Sequence, residues 1–192
     1  MLDERRPPAM NDPHPSPTPR RLFTAIFPDA AACAAIDAER QRWDGLPRRL
    51  RPAPDRMHLT LQFFNRVDAS AQRSWSQALT ALGFEPFRIV LDRAELWRTG
   101  SGTIAVLRPA PNPALQDLHR ATDALAAQAG LQPESRAFKP HLTTLRHAER
   151  VTLAPLAAPI AWTVRQVDLI WSDLAAQPPR YVSLGTFGRA GL

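Results

Sequence analysis

The 192 residues, 44% of them hydrophobic, suffice for one globular domain with a real core, so folding requires neither disulfides nor a structural metal. No apolar run approaches the roughly 18 residues of a membrane span, so no membrane partner is expected, and the single cysteine, Cys33, points to a reducing, cytoplasmic compartment. The net charge of +6 arises from 24 basic residues, of which Lys139 alone is lysine; it favours an anionic partner, although a bias toward Arg, Ala and Pro would give the same count.

Residues 1–20 carry five prolines between Pro7 and Pro17 and lack the apolar centre of a secretory signal, which predicts a disordered tail. Met10 is a candidate start within it, and His14 is expected to have no function. Arg20 to Pro28 reads as a strand rich in β-branched and aromatic residues. Asp29 is placed to cap an alanine-rich helix ending near Trp43, with Cys33, Ile36 and Trp43 on its apolar stripe. Cys33 has no second cysteine to pair with and reads as a core residue. A basic loop, Gly45 to Arg56, leads to a strand from Met57 to Phe64. Asp68 caps the next helix, whose stripe is Ala71, Trp75, Ala78, Leu79 and Leu82, and Phe87 to Trp97 forms a long strand.

The order then repeats. Gly102 to Arg108 is a strand, Asn112-Pro113 starts a helix with a Leu115, Leu118, Thr122, Leu125 and Ala129 stripe, and Gly130 ends it. A strand from His141 to Arg146 follows, then a weak, proline-interrupted helical segment over Ala148–Ala158. A long strand spans Ala161 to Leu174, and Arg180 to Phe187 closes the chain. Each half thus reads strand, helix, strand, helix, strand, with repeat units of about 21–97 and 102–188 in one bilobal domain over 21–192. The fold class expected is α+β: two pseudo-symmetric lobes, each a mainly antiparallel sheet with helices outside, and a cleft between them.

The second strand of each unit opens on the same tetrad, His58-Leu59-Thr60-Leu61 and His141-Leu142-Thr143-Thr144, 83 residues apart. Alternation puts each His and its Thr on one face, about 6–7 Å apart, and Leu59, Leu61 and Phe63 on the other. Singly, each His is an ordinary polar residue that satisfies a backbone group. Matched across a duplication, two imidazoles and two hydroxyls can surround a phosphoryl group, one pair suited to proton transfer near neutral pH and the other to its oxygens. Two histidines without Cys, Asp or Glu at ligand spacing make a poor zinc site, and no glycine-rich phosphate loop is present. His119 is expected to face solvent or to pack at the edge of its helix stripe, and His147 only to line the cleft; Trp43, Trp75, Trp97, Trp162 and Trp171 read as core, with Trp97 and Trp171 also able to stack on a base.

These two motifs resemble those of the 2H phosphoesterase superfamily, and within it the bacterial and archaeal RNA 2′,3′-cyclic phosphodiesterases, also called 2′-5′ RNA ligases. The likeness runs from about Arg21 to Phe187. It rests on Arg21-Leu22-Phe23-Thr24-Ala25, on Pro54-Asp55-Arg56-Met57 before the first tetrad, and on Arg136, Phe138, Pro140, His141, Thr143 and Arg146 around the second. Arg180-Tyr181 adds a closing match. The resemblance implies metal-independent hydrolysis of a 2′,3′-cyclic phosphate at an RNA end to a 2′-phosphate, with no cofactor. It implies His58 as proton donor, His141 as proton acceptor, and Thr60, Thr143, Arg146 and Arg136 as phosphate-binding residues. RNA 3′ ends or cyclic nucleotides are the expected partners of a monomer. Three other readings stay open: 2′-5′ ligation, hydrolysis of small cyclic nucleotides, and a non-catalytic RNA-binding module. Two departures stand out. Thr144 replaces a hydrophobic residue and Asn65 replaces a glycine. A regular strand would also aim Arg146 away from His141.

Overall fold

The computed structural model describes residues 18–46 and 56–188. Residues 1–17 of the expected tail, with Met10 and His14, and most of the basic loop lie outside the described residues.

The chain order is β1 (Arg20–Ile26), α1 (Ala30–Gln41), β2 (Leu59–Val67), α2 (Ala69–Leu79), β3 (Phe87–Thr99), β4 (Gly102–Pro109), α3 (Pro113–Gln128), β5 (Leu142–Arg146), β6 (Ile160–Val164), β7 (Val167–Asp173) and β8 (Arg180–Phe187). All three helices start at the expected caps. Asp29 accepts from Ala32 N, Asp68 from Ser70 N and Ala71 N, and Asn112 from Leu115 N, each oxygen satisfying amides that lack an intrahelical partner. After α3, Gly130 turns at φ +79° and Leu131 N reaches back to Ala126 O, closing the helix with a left-handed residue.

The mainly antiparallel α+β class holds: eight strands form one sheet in the order β6-β3-β4-β5-β2-β1-β7-β8, with every pairing antiparallel. The two expected lobes share this sheet. Its halves join at a single bonded pair, Leu59 with Leu142, so the two tetrad strands meet at the centre. The halves also exchange a strand. β3, third in the first unit, pairs with β4 of the second, and β7, from the second, pairs with β1 of the first. Leu59 and Leu142 are fully buried in the main core, which includes Ile36 of α1, Trp75 and Leu79 of α2, and Leu115 and Leu118 of α3. The helices therefore cover the leucine face, and the histidine face is left for the cleft.

Two expectations need correction. Residues 148–158 hold no helix: Pro155 and Pro159 lack amide donors, and the segment's backbone is satisfied elsewhere. Ala148 N donates to Thr103 O, Thr152 exchanges hydrogen bonds with Asp44, and Ala157 N donates to the buried carboxylate of Glu39. The single long strand expected over 161–174 is two strands broken at Arg165–Gln166. β6 goes to the β3 edge and β7 to the β1 side, so a pattern continuous in sequence serves opposite ends of the sheet.

Candidate active site

Leu59 and Leu142 face each other across the central pair, and residues directly opposite in an antiparallel pair share a face. Carried one residue each way, this register sets His58 opposite Thr143 and His141 opposite Thr60, with lateral spacing of about 5 Å. Each histidine is thereby matched with the other strand's threonine, and the four side chains line one cleft.

The two imidazoles are held in the same manner. His58 Nδ1 lies 2.8 Å from Arg56 O and His141 Nδ1 lies 2.8 Å from Lys139 O, in each case the carbonyl two residues earlier. A carbonyl only accepts, so Nδ1 carries the proton and Nε2 is the nitrogen left for a substrate. His58 stacks on Phe23 at 4.8 Å and also meets Phe27 and Tyr181. This burial pushes its pKa down to about 4, against the opposing hydrogen bond to Arg56 and with a smaller contribution from the charges of His141 and Arg146. His141 packs on Trp97 at 4.7 Å. Burial lowers its pKa as well, the Lys139 hydrogen bond opposing and the charges of Arg108 and Arg146 adding to the fall.

Arg146 shares the cleft with both histidines, which a regular strand would forbid. The cause is a β-bulge. Ala105 pairs with Leu145 and Val106 with Thr143, so Thr144 is an extra residue that resets the alternation, and Arg146 returns to the face of Thr143. The fully buried Thr144 donates its hydroxyl to Ala105 O at 3.0 Å, and its own carbonyl accepts from buried Arg40 at 3.2 Å. The tetrad's departure from a hydrophobic residue thus sits at the bulge itself. Thr144→Val keeps the shape but strands the Ala105 carbonyl contact; a loss of about 1–2 kcal/mol is expected in urea unfolding, with a rise in KM as Arg146 loses its support.

β2 bulges at the equivalent place. Thr24 pairs with Gln62 and Ala25 with Thr60, so Leu61 is the extra residue. This corrects the expected facing of Phe63: it lies opposite Phe23 and lines the cleft. Phe64 takes the core side instead, edge-on to Trp75.

Of the residues singled out from the sequence, His58, Thr60, His141, Thr143, Arg146 and Arg136 all line this cleft. Arg136 stands at its exposed rim, bound to Glu134 at 2.9 Å. Of the two placements open to His119, the structure has the packed one: it stacks on Phe138 at 3.9 Å and edges the cleft, as does His147, whose φ is +56°. Trp97 contacts His141 directly, held by its Nε1–H donating to Glu95 at 2.6 Å. Strand-and-helix reasoning missed Arg21, Phe23, Arg56 and Tyr181; the family likeness quoted them, but nothing in their spacing marked them. Arg56 lies over the Tyr181 ring at 5.0 Å and donates to Pro179 O, so the loop end and β8 together wall the His58 side.

The cleft has a volume of about 1100 Å³, above the roughly 300–1,000 Å³ of small-molecule pockets, so it has room for more than one small group. Among its lining residues Arg21, Arg56, Arg136, Lys139 and Arg146 face one carboxylate, Glu134. Five basic groups against one acid make this cleft cationic, which favours an anionic ligand. Among the described residues no group of three or more His, Cys, Asp or Glu could hold a metal ion, and no helix is long and apolar enough to cross a membrane.

Comparison with known proteins matches residues 28–176 to the 2′-5′ RNA ligase superfamily. The chain is 31% identical over 172 residues to the RNA 2′,3′-cyclic phosphodiesterase of Escherichia coli K12, covering 86% of this chain and 94% of that one. Among solved structures, a phosphoesterase superposes with TM-score 0.79 at 30% identity, over 90% of this chain and 99% of the other. E. coli LigT complexed with 3′-AMP superposes with TM-score 0.76 at 29% identity, over 90% and 99%.

Proposed function

Since the chain belongs to the 2′-5′ RNA ligase superfamily, we propose that it hydrolyses 2′,3′-cyclic phosphates at RNA ends to 2′-phosphates by proton transfer between His58 and His141. The observation that carries this reading is the matched pair: two histidines on adjacent antiparallel strands, each with Nδ1 tied to a backbone carbonyl and Nε2 left for one cationic cleft. The phosphoryl group sits among the four tetrad side chains. His141 Nε2 takes a proton from water as its oxygen attacks phosphorus, the bond from phosphorus to the 3′ oxygen breaks, and His58 Nε2–H protonates that oxygen. Thr60, Thr143 and Arg146 hold the non-bridging oxygens as charge builds on them, and Arg136 meets the substrate at the rim. The E. coli relative, an RNA 2′,3′-cyclic phosphodiesterase, supports the reaction class.

The buried histidines set the pH dependence. In the free cleft His58 is neutral at pH 7, so its donor role depends on the bound phosphate anion drawing a proton onto it. The productive state holds one proton across the pair. As pH falls through about 4 both histidines become protonated, and as it rises past the lowered pKa of His141 both become neutral. The profile of kcat/KM is therefore a bell with its acid limb near pH 4 and its alkaline limb below 6.5, while the limbs of kcat lie higher because bound phosphate favours protonation. Flat kcat/KM between pH 4 and 8 would contradict the mechanism.

The test of the reading is turnover of a nucleoside 2′,3′-cyclic phosphate with the 2′-phosphate as sole product. Activity is expected to be unchanged by EDTA; inhibition by the chelator, reversed by added divalent metal, would restore the metal reading. Tight, salt-sensitive RNA binding without turnover would make the chain a binding module instead.

A further inference from the structure

The cleft has a second cationic end. Phe63 and Arg146 occupy equivalent positions, each two residues past the bulge of its tetrad strand and each facing the neighbouring strand, Phe63 opposite Phe23 and Arg146 opposite Ile104. Where one half places a guanidinium directly, the other places an aromatic ring, and Arg21 from β1 lays its guanidinium 4.7 Å over that ring. The pseudo-symmetric cleft therefore carries an arginine on both sides of the histidine pair. Arg21 lines the cleft, its Nε is buried without a hydrogen-bond partner, and no carboxylate lies within salt-bridge distance of it among the described residues. Stacked on a ring and without a carboxylate partner among the described residues, it is oriented for a planar fork to receive an anion.

That anion is not the scissile phosphate. Arg146 stands on β5, the strand that follows His141, whereas Arg21 stands on β1, on the far side of β2 from it. Along β1, Arg21 is two residues from Phe23, the ring that stacks on His58, a step of about 6–7 Å. One nucleotide step along an extended RNA strand is of the same order. We propose that Arg21, supported by Phe63, binds the phosphodiester that joins the terminal nucleotide to the one before it, so that the enzyme distinguishes an RNA end from a free cyclic nucleotide. This inference rests on the phosphodiesterase reading above and names the part of the substrate beyond the reacting ribose.

Two probes test it: a nucleoside 2′,3′-cyclic phosphate with a 5′-hydroxyl, and the same compound carrying a 5′-O-methylphosphate diester. The wild-type chain is expected to favour the diester by about tenfold in kcat/KM, mostly through KM, as one charged hydrogen-bonded contact supplies. Arg21→Gln is expected to bring that ratio to about one, and Arg21→Lys to leave an intermediate value because an ammonium keeps charge without the fork. Phe63→Leu, which removes the ring beneath the guanidinium, should also reduce it. On the unaltered chain the ratio should shrink as salt rises, a readout that needs no variant to fold. Turnover of both probes at equal kcat/KM in the wild type, or a ratio unchanged in Arg21→Gln, overturns the Arg21 site and leaves the phosphodiesterase reading standing. No turnover of either probe overturns that reading and the Arg21 site with it.

Discussion

His58→Ala and His141→Ala are each expected to lower kcat on a 2′,3′-cyclic phosphate by a factor of about 10²–10⁴, the range that a positioned proton-transfer group supplies. The double variant should fall little further than the weaker single one, because removing either member already disables the pair. A fold-level cause is separable from a chemical one: both histidines lie on the cleft face of the sheet, opposite the main core, so urea midpoints should move far less than rates. A substrate with sulfur in place of the departing 3′ oxygen assigns the two roles. A thiolate leaves without needing a proton, so the variant lacking the donor should recover most of its loss on that substrate. Recovery by His58→Ala alone supports the assignment proposed above. Recovery by His141→Ala alone reverses the roles, an outcome consistent with the deeper burial of His58 and its pKa of about 4. Substantial activity of both variants on the oxygen substrate would rule out the two-histidine mechanism.

Arg146→Ala is the second large effect, an expected loss of about 10²–10³ in kcat/KM, comparable with removing one donor from an oxyanion site. Its guanidinium reaches the cleft only because Thr144 is inserted into β5 as a bulge. Its charge also lowers the pKa of both histidines, so the variant's acid limb should move to higher pH as well as the rate falling. That shift separates a phosphate contact near the histidines from a merely structural role. Arg146→Lys should recover part of the rate and restore the limb, since the charge returns without the planar fork. A kcat/KM within threefold of the wild type in Arg146→Ala would show that the bulge serves packing alone.

Much of this site was legible in the amino-acid order. The three helix caps followed from Asp29, Asp68 and Asn112, and the shared face of His58 with Thr60 followed from alternation over a single step. Alternation failed as soon as it was carried past the tetrad. One inserted residue reverses the facing of everything beyond it, and neither Leu61 nor Thr144 is a glycine that would have marked a bulge. Phe63 and Arg146 therefore both lie on the face opposite to the one simple alternation gives, for the same reason. The break at Arg165–Gln166 has no local signal, because apolar residues on both sides of it continue a strand-like composition, although β6 and β7 serve opposite ends of the sheet. The prolines at 155 and 159 weaken a helix there without specifying what replaces it, because the partners that hold that segment, Thr103, Asp44 and Glu39, are distant in sequence.

The sequence by itself determined that two His-x-Thr units exist, that each presents its two polar side chains together, and that each leads a strand in a repeated order. These properties depend on bond geometry and side-chain chemistry over a few residues, which the local sequence carries in full. Tertiary structure decided that the two units lie side by side through Leu59 and Leu142, that the halves exchange β3 and β7, and that paired bulges bring Arg146 and Phe63 to the histidines' side. Pairing partners and register are chosen by competition among all strands for one buried face, so they belong to the whole chain rather than to any segment of it.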